Sequence, residues 1–328
     1  MKLRTEFQPQ ASKVKIDIKK PLLFVGSCFA ENIGNLLVQR KFNCLINPFG
    51  ISYNPISLFN QLTYDNNEIN QLKLNIQEND GIHFHFDLHS DFNALTQEAS
   101  FKKIEDAFQL QINQQNNKPQ IFLSLGTAWV HELKENNQIV NNCHKQPSTL
   151  FKKRLLAVEE IVSSFDKLNL KLTEKYNETF EFVFTISPVR HLKDGFRENQ
   201  LSKSTLHLAV ETILQKHSNT AYFPAYELLQ DDLRDYRFYK EDLVHPSSEA
   251  IKYIWSKFKE THFNGETIDL VSQIDTILSQ LNHKAFQPQS EKHQQFLSSL
   301  LQKLEILQRE NQIDFQSEIE QVKSQLLS

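Results

Sequence analysis

The chain has 328 residues, of which 39% are hydrophobic and 23% charged, which excludes a largely disordered protein and fits one large or two smaller globular domains. A net charge of -4, from 36 basic and 40 acidic residues, gives no support for nucleic acid or an anionic membrane as a partner. The first apolar run is too short for a signal peptide or a membrane span, so we expect a cytoplasmic protein whose three cysteines are reduced.

The first predicted unit is a strand, a tight turn and a helix. Residues Leu22–Val25 form an apolar run typical of a buried parallel strand, and Gly26 ends it. The next apolar residues recur at helical spacing, at Phe29, Ile33, Leu36 and Leu37. Ser27 and Cys28 are therefore expected at the end of a strand and the start of a helix, where α/β proteins bind ligands and activate nucleophiles. The same residues also suit a turn whose small side chains serve only packing.

A second strand is predicted at Phe42–Ile46, followed by a loop at Asn47–Gly50. Gly50 either brings a backbone N–H close to a ligand or simply completes a turn. The Asn-Pro pair that begins at Asn54 is typical of a helix N-terminus, and this helix is expected to end near Tyr64.

The next stretch is polar. Residues 66–79 are expected to form a connection in which Leu72, Leu74 and Ile76 alternate and favour a short strand. Alternation across 83–89 predicts a further strand with both histidines of a His-x-His pair, His83 and His85, on one face. Such a pair can ligate a metal, but no carboxylate or thiolate set accompanies it. A polar strand face is therefore favoured, and no metal site is predicted.

The middle of the chain repeats the opening pattern. Residues 100–114 predict an amphipathic helix, and 121–127 predict an apolar strand that ends at Gly126. A loop is expected to follow, carrying the polar or titratable residues Thr127, Trp129, His131, Glu132, Asn142 and His144. A long helix is predicted at 150–168.

Two further strands complete the alternation. One is predicted at 180–190, with Arg190 at its carboxyl end, and the last at 221–227, with a helix at 203–215 between them. Strands that alternate with helices predict a parallel sheet covered by helices on both faces. This domain is expected to span residues 1–265.

Residues 266–328 are predicted to form a C-terminal helical extension rich in Leu and Gln. Pro288 separates its first helix from the rest. An apolar stripe runs along the second part, at Phe296, Leu297, Leu300, Leu304 and Leu307. The stripe fits either a helical hairpin packed on the domain or a self-association arm. The hairpin is favoured because the heptad run is too short to stand alone.

Asp242 and His245 lie in the loop after the last predicted strand. An aspartate three residues before a histidine can hydrogen-bond one imidazole nitrogen, which leaves the other free to deprotonate a nucleophile. Nucleophile, Asp, His is a known chain order for such triads. Together with Ser27 and Cys28, these residues predict a nucleophilic site at the edge of the sheet.

The stretch Gly26-Ser27-Cys28-Phe29-Ala30 resembles the signature of the GSCFA family, which is placed among the SGNH/GDSL hydrolases. Further similar segments lie at 125–129, 142–145, 187–189, 202–204 and 242–247. The resemblance covers about residues 1–263 and implies an α/β three-layer sandwich around a central parallel, flavodoxin-like sheet. It also implies ester chemistry with His245 as base and Asp242 as its orienting carboxylate.

The nucleophile position departs from the SGNH pattern. Those enzymes use the serine of a Gly-Asp-Ser turn, and an alignment without a gap puts Cys28 there rather than Ser27. We therefore expect a thiolate nucleophile, favoured by the helix N-terminus and by His245, with the Ser27 hydroxyl as the alternative.

The oxyanion hole departs as well. The Gly-x-Asn-Asp block of those enzymes corresponds here to Gly126-Thr127-Ala128-Trp129, which lacks the asparagine. The missing donor is expected from Asn142, His144 or Thr127, beside the backbone N–H groups of Cys28 and Gly50.

The favoured hypothesis is an esterase or O-acyltransferase that needs no cofactor and acts on a small-molecule or carbohydrate ester. Arg190, Lys145 and Lys203 are either anion-binding residues, which suits a CoA-linked acyl donor, or solvated surface charges, and the second is favoured for each. The competing hypothesis, supported by the missing asparagine, is a non-catalytic binding protein on the same scaffold.

Overall fold

The computed structural model describes residues 5–283 and 285–327. Within them the strands are β1 (Leu22–Gly26), β2 (Cys44–Ile46), β3 (Gln77–Asn79), β4 (Ile82–Phe84), β5 (Gln120–Leu125), β6 (Trp129–Leu133), β7 (Ile139–Val140), β8 (Phe151–Leu155), β9 (Phe182–Ile186) and β10 (Thr220–Tyr222). The helices are α1 (Cys28–Gln39), α2 (Pro55–Leu62), α3 (Asn66–Leu74), α4 (Gln97–Asn116), α5 (Val158–Tyr176), α6 (Phe196–Lys216), α7 (Ala225–Glu227), α8 (Ser248–His262), α9 (Gly265–Leu281), α10 (Glu291–Asn311) and α11 (Gln316–Lys323).

A five-stranded parallel sheet forms the centre, in the order β10-β9-β5-β1-β2. Successive residues of β1 face opposite sides, because Leu23 and Val25 pack with α2, α5 and α6 while Leu22 and Phe24 pack with α1 and α8. Helices therefore cover both faces, which confirms the predicted α/β three-layer sandwich.

The strand order places one crevice in the sheet. The chain passes from β1 to β2 on one side, and then to β5 and β9 on the other. The direction of winding thus reverses between β1 and β5, and ligands of doubly wound sheets bind outside the carboxyl ends of strands at such a point. Cys28 and Thr127 follow these two strands directly.

The segment after β5 differs from the prediction. Instead of a loop, Trp129–Leu133 forms β6, which pairs antiparallel with β7 and β8. The helix predicted from residue 150 begins only at Val158, because β8 occupies Phe151–Leu155. Arg154 stabilises this arrangement, since its guanidinium pairs with the buried Glu132 at 2.6 Å and with Glu160 at 2.7 Å.

The stretch predicted as a polar connection contains the helix α3. Its start is fixed by a capping box, in which Asp65 accepts the Glu68 N–H while Glu68 accepts the Asp65 N–H. Ile69 and Leu72 are buried, whereas Leu74 is exposed, so the apolar spacing is helical. The strand predicted over 83–89 is also shorter, because β4 ends at Phe84.

The C-terminal helices pack against one another and against the sheet domain. Buried residues of α9, α10 and α11 form one cluster, which includes the predicted stripe residues Leu297, Leu300, Leu304 and Leu307. Two ion pairs join this unit to the end of α1, from Arg40 to Asp275 at 2.7 Å and from Lys41 to Glu318 at 2.6 Å. Among the described residues, no helix combines the length and apolar character needed to cross a membrane.

Candidate active site

A cleft of about 540 Å³ opens at the carboxyl ends of the central strands. Its lining includes Cys28 after β1, Thr127 after β5, Arg190 after β9, and both Asp242 and His245 from the loop before α8. The fold thus brings residues that are more than 200 positions apart in the sequence to one site. The sequence predicts four of these residues for the site, whereas for Arg190 it favours a solvated surface charge.

Ser27 and Cys28 face different surroundings. Ser27 is buried, its Oγ lies 2.7 Å from Ser124 Oγ, and the same Oγ accepts the Phe29 N–H as the N-cap of α1. Cys28 is only partly buried and lines the cleft. The structure therefore presents the Cys28 thiol to a ligand and uses the Ser27 hydroxyl inside the turn.

Gly26 explains the sharpness of this turn. Its φ is +126°, and a Cβ at this position would lie 2.1 Å from the Ser124 carbonyl oxygen. Only glycine allows β1 to approach β5 so closely while the backbone takes this conformation.

The sequence predicts that Cys28 reacts as a thiolate, and the surroundings of the thiol determine how readily that thiolate forms. Burial raises its pKa above the ordinary value of 9.0, and the nearby Glu31 carboxylate raises it further. The Cys28 amide, Lys240 and Lys203 act in the opposite direction, but less strongly. The resting thiol is therefore protonated at neutral pH, and a nucleophilic attack needs a base.

His245 is held by Asp242 in the way that a base requires. Asp242 Oδ2 lies 2.6 Å from His245 Nδ1, while Oδ1 accepts the backbone N–H groups of Val244 and His245, each at 2.9 Å. These backbone hydrogen bonds, with the imidazole, lower the pKa of Asp242 to about 2. Because the carboxylate stays ionised, the proton resides on Nδ1 and leaves Nε2 as the basic nitrogen.

Arg190 lines the cleft but has a structural partner. Its guanidinium donates to the Leu243 carbonyl at 2.9 Å and lies 5.4 Å from the Tyr239 ring centroid. Leu243 has a φ of +58°, which is unusual for a residue with a branched side chain. Arg190 therefore supports the loop that carries Asp242 and His245.

Two regions of the chain match known families. Residues 21–258 match the GSCFA family, and residues 274–328 match the C-terminal domain of GSCFA domain proteins. The first match covers more than half of the chain. This chain belongs to the GSCFA family. A search of curated proteins found no significant match.

Several predicted oxyanion donors of this GSCFA protein already have acceptors. The Gly50 N–H donates to Asn47 O at 2.8 Å. The N–H groups of Gly126 and Thr127 both donate to Tyr53 O, at 2.8 and 3.0 Å. Gly50 also lies outside the cleft lining, so the expectation that its amide serves as a donor is not met.

Asn142 and His144 do not line the cleft either. His144 Nε2 lies 2.8 Å from His85 O, and its ring packs against Phe84 with a centroid distance of 4.7 Å. The Asn142 side chain accepts the His144 N–H, which closes a local turn. Both residues stabilise the loop behind the cleft instead of lining it.

The GSCFA cleft contains Asn141, which the sequence does not single out. Its Oδ1 accepts the Ser52 hydroxyl at 2.7 Å and its Nδ2 lies 3.4 Å from Ile51 O. Asn141 directly follows β7, a strand of two residues that is too short to recognise in a sequence.

Lys203 lies in an environment that differs from the one the sequence favours. It is only 1% exposed, instead of being a solvated surface charge, and its Nζ donates to two backbone carbonyls. Burial lowers its pKa to about 7. Its spacing from Leu206 and Val210 on the buried face of α6 is the signal that could have shown this.

The remaining walls of the cleft combine apolar side chains with His191 and with the charged residues Lys153, Lys193 and Asp194. Burial lowers the pKa of His191 to about 4, and its ring makes an edge contact with Tyr53 at 5.2 Å. Lys153 is paired with Asp194, which offsets its charge. The apolar lining residues are Trp129, Val130, Val140, Val189 and Leu192.

Within the described residues, no group of three or more His, Cys, Asp or Glu side chains is arranged to hold a metal ion. One histidine of the His-x-His pair is already hydrogen-bonded within the protein. His85 is buried with its Nδ1 accepting the Asp87 N–H, and burial lowers its pKa to about 4.

Proposed function

We propose that this GSCFA protein processes ester bonds through an acyl-enzyme on Cys28, with His245 as general base and acid and Asp242 as its orienting carboxylate. The observation that carries the proposal is that Cys28 and the hydrogen-bonded Asp242–His245 pair line one cleft. The parallel sheet and the position of this cleft support a place for the family among the SGNH/GDSL hydrolases.

The reaction begins with the protonated thiol. The Cys28 S–H bond breaks as its proton moves to His245 Nε2, and the sulfur electron pair forms a bond to the acyl carbon. The carbonyl π pair moves to oxygen, then returns and expels the alcohol oxygen, which takes the proton from His245. A thioester on Cys28 and a free alcohol result.

The second half uses the same groups. His245 Nε2 takes a proton from water or from an acceptor hydroxyl, whose oxygen attacks the thioester carbon. The C–S bond then breaks, and the Cys28 sulfur receives the proton from His245. Hydrolysis and acyl transfer therefore share one acyl-enzyme, and the choice of acceptor decides between esterase and O-acyltransferase.

The oxyanion needs hydrogen-bond donors at the cleft. The Cys28 amide is in the first turn of α1, where N–H groups lack acceptors within the helix. Asn141 also lines the cleft, and its amide has a second N–H beside the one directed at Ile51 O. Thr127 lines it too; its Oγ1 lies 3.0 Å from Ser202 Oγ, and when Ser202 donates that hydrogen bond the Thr127 hydrogen is left for an oxyanion. We assign these three groups as the oxyanion donors. The N–H groups of Gly126 and Thr127 are excluded because both donate to the Tyr53 carbonyl.

The lining also bears on the substrate class. Aromatic rings of Tyr53 and Trp129 beside polar side chains suit an acylated carbohydrate or a related neutral metabolite. Three basic residues also line the cleft: Lys153 is paired with Asp194, Arg190 donates to the neutral Leu243 carbonyl, and Lys193 has no partner among the described ion pairs. An acyl donor that carries an anionic group, such as a CoA-linked donor, therefore stays a second substrate class beside the neutral ester.

Acetylation by p-nitrophenyl acetate, located by peptide mass spectrometry, tests the mechanism. We expect an acetyl adduct on Cys28 that is absent in Cys28→Ala and at least tenfold slower to form in His245→Ala. Ser27→Ala and Cys143→Ala serve as controls and should retain it, because neither residue lines the cleft. Absence of an adduct from the wild-type protein, with this and with longer acyl esters, would refute the covalent mechanism.

A second candidate function is ligand binding without catalysis on the same scaffold. The observation that favours it is that the N–H groups of Gly50, Gly126 and Thr127 all donate to protein carbonyls, so backbone donors for an oxyanion are few. Turnover of aryl esters, measured with and without a sugar acceptor, separates the two. Binding of an acylated sugar with neither turnover nor an adduct would favour this candidate.

A further inference from the structure

A buried ammonium group lies at the end of β5, the strand that pairs with β1. Gly26 pairs with Ser124, so Cys28 and Gly126 each follow a paired residue by two positions. Lys203 extends from α6, and its Nζ donates to Gly126 O at 2.7 Å and to Ser187 O at 2.8 Å. Gly126 follows β5 and Ser187 follows β9, so one side chain joins the carboxyl ends of two adjacent strands. The Tyr226 ring centroid lies 5.7 Å from the same nitrogen.

The surroundings of Lys203 contain little negative charge. Its two hydrogen-bond acceptors are neutral carbonyls, and the described ion pairs of the chain include no carboxylate bound to it. Two neighbours, His191 and His207, have pKa values that the lysine charge lowers further. The acidic group that acts on Lys203 is the Cys28 thiol.

Burying a cation without a carboxylate is costly, and such groups are concentrated at functional sites. A thiolate that forms nearby is stabilised by this cation, because the protein interior screens the interaction less than water does. The two carbonyl bonds hold the ammonium in place, so little reorganisation accompanies thiolate formation.

We propose that Lys203 is a positioning residue that fixes the strand ends beside Cys28 and stabilises the Cys28 thiolate through its ammonium charge. This inference rests on the proposed role of Cys28 as the nucleophile. Lys203 does not touch the substrate, and the proton still passes from Cys28 to His245.

The test is the rate of Cys28 alkylation by iodoacetamide between pH 6 and 9, resolved by peptide mass spectrometry. Lys203→Met removes the charge and the hydrogen bonds, whereas Lys203→Gln removes the charge and retains an N–H donor. Both should slow Cys28 alkylation about three- to tenfold at pH 6.5. The ratio to wild type should approach one by pH 9, because Lys203 has then lost its proton.

Two controls accompany the variants. Cys143 is an internal reference, because burial raises its pKa without any contribution from Lys203, and its rate should not change. Lys152→Met removes an exposed cation that does not act on the Cys28 thiol and should change the rate less than twofold.

Two outcomes would overturn the inference. A wild-type alkylation profile in Lys203→Gln would show that only the hydrogen bonds matter, and this variant keeps the test readable if Lys203→Met does not fold. A slowing that is equal at pH 6.5 and pH 9 would exclude the ammonium charge as its cause. Alkylation requires no turnover, so a failure of the proposed ester chemistry would leave this result interpretable.

Discussion

The turn after β1 assigns different tasks to two adjacent small side chains. The Ser27 hydroxyl accepts a backbone N–H at the start of α1 and hydrogen-bonds to the Ser124 hydroxyl, while the Cys28 thiol lines the cleft. The His245 imidazole and its Asp242 partner complete the site from the far end of the domain. A hydroxyl and a thiol that are chemically similar thus differ in function because the backbone turns one inward.

The buried lysine gives a pH signature in the stability of the protein. Burial lowers the pKa of Lys203 from 10.5 to about 7, so between these values the unfolded chain binds one more proton than the folded chain. The free energy of unfolding therefore rises with pH in this window, by up to roughly 1.4 kcal/mol per pH unit from this residue. Lys203→Met removes that rise.

Urea unfolding at pH 7 and pH 9 measures the effect. The wild-type protein should gain stability relative to Lys203→Met as the pH increases. The control is Lys240→Met, in which an exposed lysine is replaced and whose difference from wild type should stay constant. A constant difference for Lys203→Met as well would show that Lys203 titrates like an exposed lysine.

At the scale of elements, the sequence predicts what local patterns determine. β1, β5 and β9 are apolar runs with a small residue at the end or directly after it. The helices α1 and α2 have regular apolar spacing and N-cap side chains. The Asp242–His245 hydrogen bond also follows from a spacing of three residues. Such features need no knowledge of distant parts of the chain.

The missed elements depend on contacts between distant residues. β8 carries charged residues, and its strand conformation depends on antiparallel pairing with β6 and on the ion pair between Arg154 and Glu132. A lysine such as Lys203 is expected at the surface from its sequence, and its burial follows only from the packing of α6 against the strand ends. Asn141 directly follows the short β7, whose position is set by its pairing with β6, so its place in the cleft wall depends on contacts that the local sequence does not show.

Gly26 allows a test of the close approach between β1 and β5. A Cβ in Gly26→Ala would meet the Ser124 carbonyl at 2.1 Å, and the φ of +126° strains any other residue. We expect a loss of at least about 3 kcal/mol in the free energy of unfolding, measured in urea. Gly81→Ala is the matched control, because its φ is also positive but nothing lies within 4 Å, so its loss should be smaller.

At the scale of the whole molecule, a second cluster of apolar residues extends the fold beyond the sheet domain. The C-terminal helices enclose their own apolar residues, and ion pairs join them to α1, the helix that begins with Cys28. Ile18, which precedes β1, also packs against this cluster. The segment before β1 is thereby linked to the C-terminal helices through side-chain contacts.

Leu304 tests how much this cluster contributes. It is fully buried, so Leu304→Ala should lower the free energy of unfolding by about 2–5 kcal/mol. Ile306→Ala on the same helix should cost less than about 1 kcal/mol, because Ile306 is 42% exposed. Urea unfolding measures both. Equal losses would show that the cluster is not packed as described.

The raised pKa of Cys28 has a consequence for resistance to oxidation. Peroxide attacks a thiolate far faster than a thiol, and the sulfenic acid that forms first is oxidised further to irreversible products. Burial and Glu31 favour the protonated thiol. We therefore expect Cys28 to resist peroxide at neutral pH, and under the proposed mechanism its sulfur would be vulnerable only while His245 holds the proton.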